Sequence, residues 1–181
     1  DAIDEHQLPP YISLQDAKLN FKSKLDGSTA LHIAAETGKS VLVKQLLHAG
    51  ISKTTQDCDG NTALMRGAIA GRTKATVAIA RKMRNKGLNI QNVNGETALF
   101  IGCRRNNLTV VEKLIRYGAD VNIPTTKGVT PLMSACFEAN ALMITTLVNA
   151  GAKLDVYDCD HSNCLHYLSK SKHLQNAQLG E

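Results

Sequence analysis

Apolar residues in this chain fall into short clusters at helical spacing, separated by polar stretches that glycine punctuates. Leu31, Ala34 and Ala35 share one side of a short helix. Gly38 then interrupts, and Val41, Leu42, Gln45, Leu46 and Leu47 predict a second amphipathic helix that ends at Gly50. The pattern restarts from there. Gly27-Ser28-Thr29-Ala30-Leu31-His32 recurs as Gly60-Asn61-Thr62-Ala63-Leu64-Met65, Gly95-Glu96-Thr97-Ala98-Leu99-Phe100 and Gly128-Val129-Thr130-Pro131-Leu132-Met133. A degenerate fifth copy runs from His161 to His166, and the steps between copies are 33, 35, 33 and 33 residues. A second glycine, at Gly50, Gly87, Gly118 and Gly151, closes each later helix. The first glycine permits a positive φ in a tight turn. The threonines sit where a hydroxyl caps the first free amides of a helix, and Pro131 takes the first helical position, where its missing amide costs nothing. Neither helix of a pair could bury its apolar side alone, so the units must stack.

These residues resemble the ankyrin repeat, which opens Asp-x-x-Gly-x-Thr-Pro-Leu-His and closes Leu-Leu-x-x-Gly-Ala-Asp-Val-Asn. Leu114-Ile115-Arg116-Tyr117-Gly118-Ala119-Asp120-Val121-Asn122 is a near-complete match to the closing half. The resemblance implies an all-α fold, a solenoid of stacked helix-turn-helix units carrying β-turn fingers. In the family, finger tips and short inner helices form the concave binding face. The organisation expected is an irregular N-terminal cap or linker over 1–24, an ankyrin-repeat domain over 25–168 and a C-terminal tail over 173–181. Repeats fall at about 25–56, 57–91, 92–124 and 125–157, with a partial unit at 158–172.

Departures from the pattern carry information. Four extra residues around Ala75–Lys86 predict an outer helix about one turn longer, Thr73 to Asn85. The pattern's His stands only at His32 and His166; Met65, Phe100 and Met133 replace it, so its imidazole hydrogen bond should be lost in the three middle units. The fifth unit lacks the glycine and the threonine, and reads either as a half-repeat that caps the stack or as a repeat cut short. Pro9-Pro10 forbids a regular helix just before Ala17-Lys18-Leu19-Asn20, which looks like the tail of a preceding unit.

Composition agrees with closely stacked small helices. Of the 181 residues 43% are apolar, yet only three are Phe, four Tyr and none Trp, so Ala, Leu, Ile and Val must build the core. No apolar run approaches the roughly 18 residues that span a bilayer, and no membrane insertion is expected. Asp1 in place of Met reads as a fragment of something longer, expected to be monomeric. Five Cys is an odd number without a CxxC spacing, which points to a reducing intracellular compartment, cytoplasmic or nuclear. The net charge of +5 suits an acidic partner or nucleic acid equally and decides nothing alone.

Candidate chemistry is sparse. Cys159, His161, Cys164 and His166 are the one cluster of metal-ligand types, but the register puts Cys159 and His161 in a finger and His166 at the structural His position; no metal or cofactor is expected. Cys103 and Cys136 fall on the buried side of inner helices. No phosphate loop, His-Glu pair or nucleophile elbow occurs, so the segment is not expected to be an enzyme. Arg72, Lys74, Arg81, Lys82, Arg84 and Lys86 read first as a solvated helix face. Without interleaved aromatic residues, nucleic acid is disfavoured as their ligand.

The ankyrin register implies which positions face a partner. The solvent-facing pairs on inner helices are Glu36-Thr37, Ile69-Ala70, Arg104-Arg105 and Phe137-Glu138. Ile69 and Phe137 then flank Arg104 and Arg105 in an apolar–basic–apolar band, unless they pack against neighbouring units. Arg66 and Ile101 are counted in the same face. Asp59, Asn61, Asn94, Glu96, Thr126 and Lys127 would form a polar rim, with Asp59 and Glu96 available to a basic residue of the partner. The function expected is a protein-interaction module whose partner carries an acidic residue beside apolar anchors. The alternatives are a spacer or regulatory array inside a larger receptor, channel or enzyme, and an inhibitor that masks a transcription factor.

Overall fold

The computed structural model of the protein describes residues 20–83 and 87–171. Residues 1–19 of the cap expected over 1–24, residues 84–86 with Asn85, residue 172 and the tail expected over 173–181 lie outside the described residues. The helices, in chain order, are α1 (Ala30–Thr37), α2 (Ser40–His48), α3 (Ala63–Ile69), α4 (Thr73–Met83), α5 (Ala98–Arg104), α6 (Leu108–Arg116), α7 (Pro131–Phe137), α8 (Ala141–Asn149) and α9 (Cys164–Ser169). Odd-numbered helices pack on one another in sequence from α1 to α9, and the even-numbered ones from α2 to α8 form a second layer. Among the described residues there is no β-sheet, only an isolated antiparallel bridge between Gln56 and Thr62. This is the all-α solenoid of stacked helix pairs that the repeat implies.

Three of the four threonine caps form as the sequence predicts. The Oγ1 atoms of Thr62, Thr97 and Thr130 accept from the amides of Met65, Phe100 and Met133 at 3.4, 3.2 and 3.3 Å. In the first unit the Thr29 amide donates to His32 Nδ1 at 3.1 Å, so Nε2 carries the proton and donates to the Asn61 carbonyl at 3.0 Å. One imidazole thus ties the first finger to the second. In the fourth unit Met133 Sδ accepts from the Thr130 amide at 3.4 Å, which replaces half of that link and leaves out the cross-unit half.

Each finger is closed by a side chain. Asp57 Oδ1 accepts from the amides of Asp59 and Asn61, Asn92 Oδ1 from those of Asn94 and Glu96, and Asp158 Oδ1 from those of Asp160 and Ser162. Fingers are then joined in a backbone ladder: Cys58 N to Asp26 O at 2.9 Å, Val93 N to Asp59 O at 3.1 Å, Thr126 N to Asn94 O at 3.0 Å and Cys159 N to Lys127 O at 3.0 Å. The finger glycines have φ of +69 to +78°. A Cβ added at Gly60 would lie 2.9 Å from the Val93 amide, and one at Gly95 would land on the Thr126 amide.

The core is a ladder of small and aliphatic side chains. Leu31, Leu64, Leu99 and Leu132 occupy one register position and are each no more than 1% exposed. Gly67 and Gly102 let the second helix of their unit approach closely, since an added Cβ would lie 2.7 Å from Thr76 Oγ1 and 3.0 Å from Val111 Cγ2. Two details differ from expectation. Val43, not Val41, is the buried valine of α2, because the helix starts at Ser40 and Val41 falls on its outward side, 60% exposed. Helix α4 is longer than its counterparts, as expected, with 11 residues against nine in α2, α6 and α8, but its closing Gly87 has no positive φ, unlike Gly50, Gly118 and Gly151.

Two expectations follow. Gly50→Ala meets open space and should lose only the left-handed strain of about 1–2 kcal/mol. Gly95→Ala must also push the fourth finger away and should cost more than about 3 kcal/mol; urea unfolding of both variants measures the difference. Burial holds His32 below its ordinary pKa of 6.5, against the opposing pull of the Asn61 carbonyl and Asp57. The unfolded chain therefore takes up that proton first, and the stability tied to a neutral His32 is full above pH 6.5 and declines as pH falls through 6.5. The melting-temperature gap between wild type and His32→Gln should accordingly narrow from pH 7.5 to roughly pH 5.

Candidate functional site

Inner helices and finger tips share one face, and the expected partner-binding residues divide on it into exposed and structural ones. Arg104 and Arg105 end α5 in solvent, and Asp59, Asn94, Thr126 and Lys127 are exposed finger-tip residues. Ile69, Phe137 and Glu138 are half-buried, and Ile69 packs on the core cluster. The expected apolar flanks are therefore partly absorbed by the neighbouring units.

Four members of the expected set are corrected. Ile101 is 0% exposed and belongs to the core. Asn61 is buried: its carbonyl takes the His32 imidazole, and its Oδ1 accepts from Asn92 Nδ2 at 3.0 Å. Arg66 is a strut, with Nε on Asp57 Oδ2 at 2.6 Å and its two terminal nitrogens on Asp26 and Glu36 at 3.3 Å. Glu96 is buried and paired with Arg104, Oε1 to Nη1 at 2.9 Å and Oε2 to Nη2 at 3.3 Å. It is thus not open to a basic residue of a partner.

Ile101 and Arg66 occupy the same register position, which explains both corrections. That position lies nine residues beyond the side chain that closes the finger. Where the finger is closed by aspartate, the position supplies a donor: Arg66 for Asp57, and Tyr167, whose hydroxyl donates to Asp158 Oδ2 at 2.7 Å. Burial, followed by that bond, pushes the Tyr167 phenol up to about 12. Where the finger is closed by Asn92, the position is the apolar Ile101 and the residue needs no counter-charge. At the edge of the Arg66 cluster, the Ser28 amide and hydroxyl do most to hold the Asp26 carboxyl down to about 2, with a smaller pull from Arg66.

Between the third and fourth fingers lies an open depression of about 360 Å³. Phe100 and Val129 supply its apolar surface, Asn94 and Thr126 its finger-tip wall, and Arg104, Glu96 and Lys127 its charges. Lys127 and Arg105 take part in none of the four ion pairs among the described residues. Phe100, Thr125 and Val129 were not among the expected site residues. Phe100, which stands where the repeat carries His, was the available signal for a local change at this unit.

Cys103 and Cys136 sit in the core, and burial pushes their thiols up to about 12 and about 11, which keeps them protonated near neutral pH. Cys58 and Cys159 are exposed at equivalent finger positions. Cys164 is buried with Sγ on the Leu154 carbonyl, and His166 Nδ1 faces Asn163 Oδ1 at 2.7 Å. Among the described residues, no three His, Cys, Asp or Glu side chains are grouped to hold a metal ion, and no helix is long and apolar enough to cross a membrane.

The family model for ankyrin repeats in three copies matches residues 8–82, 76–158 and 106–179. The chain belongs to the ankyrin repeat family. NF-kappa-B inhibitor alpha of Mus musculus is 34% identical over 110 residues, which is 59% of this chain and 35% of that protein. Neurogenic locus notch homolog protein 1 of Mus musculus is 32% identical over 122 residues, 66% of this chain and 5% of that protein. The Xenopus laevis protein of the same name is 32% identical over 108 residues, 60% of this chain and 4% of that protein. The matched segment thus spans about a third of the inhibitor and a much smaller share of the notch homologues.

The Asp57–Arg66 pair can be exchanged for the solution used one unit later. Arg66→Ile alone leaves Asp57, whose side chain is fully buried, without its counter-charge; the expected loss is about 3 kcal/mol. Adding Asp57→Asn recreates the Asn92–Ile101 pairing and should recover most of it. A double-mutant cycle by denaturant unfolding reads the recovery; strictly additive losses would contradict the exchange.

Proposed function

We propose that this chain is a non-enzymatic protein-interaction module that holds its partner on the face formed by inner helices and finger tips. The observation that carries this reading is the concentration of positive charge at one place on that face. Arg104 and Arg105 end α5 exposed, and Lys127 is the basic member of a finger-tip series whose other members are Asp26, Asp59, Asn94 and Asp160. Arginine is among the residue types enriched at binding hot spots. Five free thiols suit a reducing, intracellular setting.

A second reading is favoured by one relative. NF-kappa-B inhibitor alpha is by name an inhibitor, so this module could act by holding its partner inactive; direct binding to purified NF-kappa-B tests that form of the idea.

The general reading is tested by affinity capture with quantitative mass spectrometry. Three proteins are compared: wild type, Arg104→Glu/Arg105→Glu, and a control, Lys74→Glu/Arg81→Glu, on α4. Because Arg104 pairs with the buried Glu96, its reversal should lower the thermal midpoint, so capture is run well below the midpoint of every protein, each shown by circular dichroism to be folded. Loss of specific partners in the first variant and their retention in the control is expected. Partners that survive reversal at Arg104 and Arg105, or that depend on α4 instead, would remove the proposed face from consideration.

A further inference from the structure

The depression between the third and fourth fingers has a charge arrangement that no other finger junction among the described residues shares. On the finger-tip side Lys127 stands exposed and outside every ion pair among the described residues. On the helix side Arg104 is bound in two places by Glu96, at 2.9 and 3.3 Å, yet its side chain keeps 46% of its exposure. Glu96 cannot easily withdraw: its amide donates to Asn92 Oδ1, its carbonyl accepts from the Asn92 amide and its Oε2 accepts from Asn92 Nδ2. Beneath these groups Phe100 and Val129 offer an apolar surface. Two cations against one fixed carboxylate leave an excess of one positive charge beside that surface.

We propose that this depression is the seat of an anionic side chain from a partner peptide, flanked by an apolar residue, and that Glu96 is the internal competitor that limits its strength. The proposal rests on the reading of this face as the binding face and names its chemistry. Lys127 supplies the unpaired cation, and Arg104 offers the guanidinium N–H groups that Glu96 leaves open; charge-assisted bonds of this kind are the strong ones. The Thr125 hydroxyl accepts from the Val129 amide at 3.2 Å and keeps its own proton to donate. The apolar neighbour of the anion rests on Phe100 and Val129. A carboxylate matches the single excess charge, whereas a phosphate adds charge and acceptors; removal of Glu96's charge should favour the phosphate more.

The probes are three short capped peptides with leucine on both sides of a central aspartate, phosphoserine or serine, titrated into the isotopically labelled chain and followed by amide NMR shifts. Saturable shifts at Asn94, Phe100, Thr126 and Lys127 with an anionic peptide, absent with the serine peptide, are expected. They should weaken from roughly 50 mM to roughly 500 mM salt as screening shortens the Debye length. Lys127→Glu, a surface change checked for an unaltered thermal midpoint, should abolish them. Glu96→Gln should tighten binding several-fold, more for phosphoserine than for aspartate. A response to aspartate and phosphoserine alike identifies a general anion seat, and a response to one alone identifies the source; either supports the proposal. No shift with either anionic peptide, equal shifts with serine, or indifference to Lys127→Glu would overturn it. If the capture experiment still shows partners lost on reversal of Arg104 and Arg105, the binding face stands while the seat falls.

Discussion

The structure depends on how closely one finger can lie against the next. Every junction among the described residues is closed by a single backbone hydrogen bond near 3 Å between fingers, and that distance is reachable only where the preceding finger turns through a residue with no side chain. At Gly27, Gly60, Gly95 and Gly128 an added Cβ would lie within about 3 Å of the neighbouring finger. The same positions have positive φ, so one residue type meets two demands at once, a left-handed turn and a vacant side. A chain of units that touch only their neighbours has no long-range contact to compensate for a loose junction. The recurrence of this glycine at near-constant spacing therefore records a steric requirement that repeats once per unit.

His161 meets the first of those two demands without being a glycine. It takes φ of +57° at the register position of those glycines, and among the described residues no finger stacks upon it. It carries the left-handed turn at the cost of backbone strain. Leu168 also departs from its register. Its register partners are Ala34, Gly67, Gly102 and Ala135, all small, and at Gly67 and Gly102 the reason is direct contact with the second helix of the unit. Leu165 is 68% exposed where Leu31, Leu64, Leu99 and Leu132 are no more than 1% exposed. The fifth unit thus departs from the pattern at the turn, on the inner helix and on the leucine ladder.

What could be read from residues alone follows from this. Glycine turns, threonine caps, Pro131 and the leucine ladder each act within a few residues or repeat at every junction, so periodicity exposes them. Exposure at a single position was less legible. Arg66 and Ile101 share a register and looked like groove residues, but their burial depends on whether aspartate or asparagine closes the finger nine residues earlier. Glu96 looked like a free rim carboxylate because its partner, Arg104, lies on the following helix. Ala139 turns at φ of +50° where Gly38 and Gly71 do the same work in the first two units, and composition gave no hint that an alanine would be accepted there. Each of these errors concerns a side chain whose setting is decided by one other residue outside the local pattern.

The contrast also indicates where recognition can be encoded. Positions that govern stacking are nearly invariant along the chain, since a change at one junction would loosen it without compensation elsewhere. The ends of the inner helices and the finger tips are free of that constraint, and they vary in charge from unit to unit: Glu36, Ile69, Arg104 and Phe137 on the helices, and Asp26, Asp59, Asn94, Lys127 and Asp160 on the fingers. Positive charge from both series meets only at the third and fourth units. A rigid row of identical junctions thus holds a non-repeating surface in fixed register, and the spacing between successive side chains on that surface is set by the finger ladder. Specificity in such a molecule lies in which residues occupy the variable positions, whereas affinity also draws on the stiffness of the ladder, because a surface ordered before contact loses little entropy on binding.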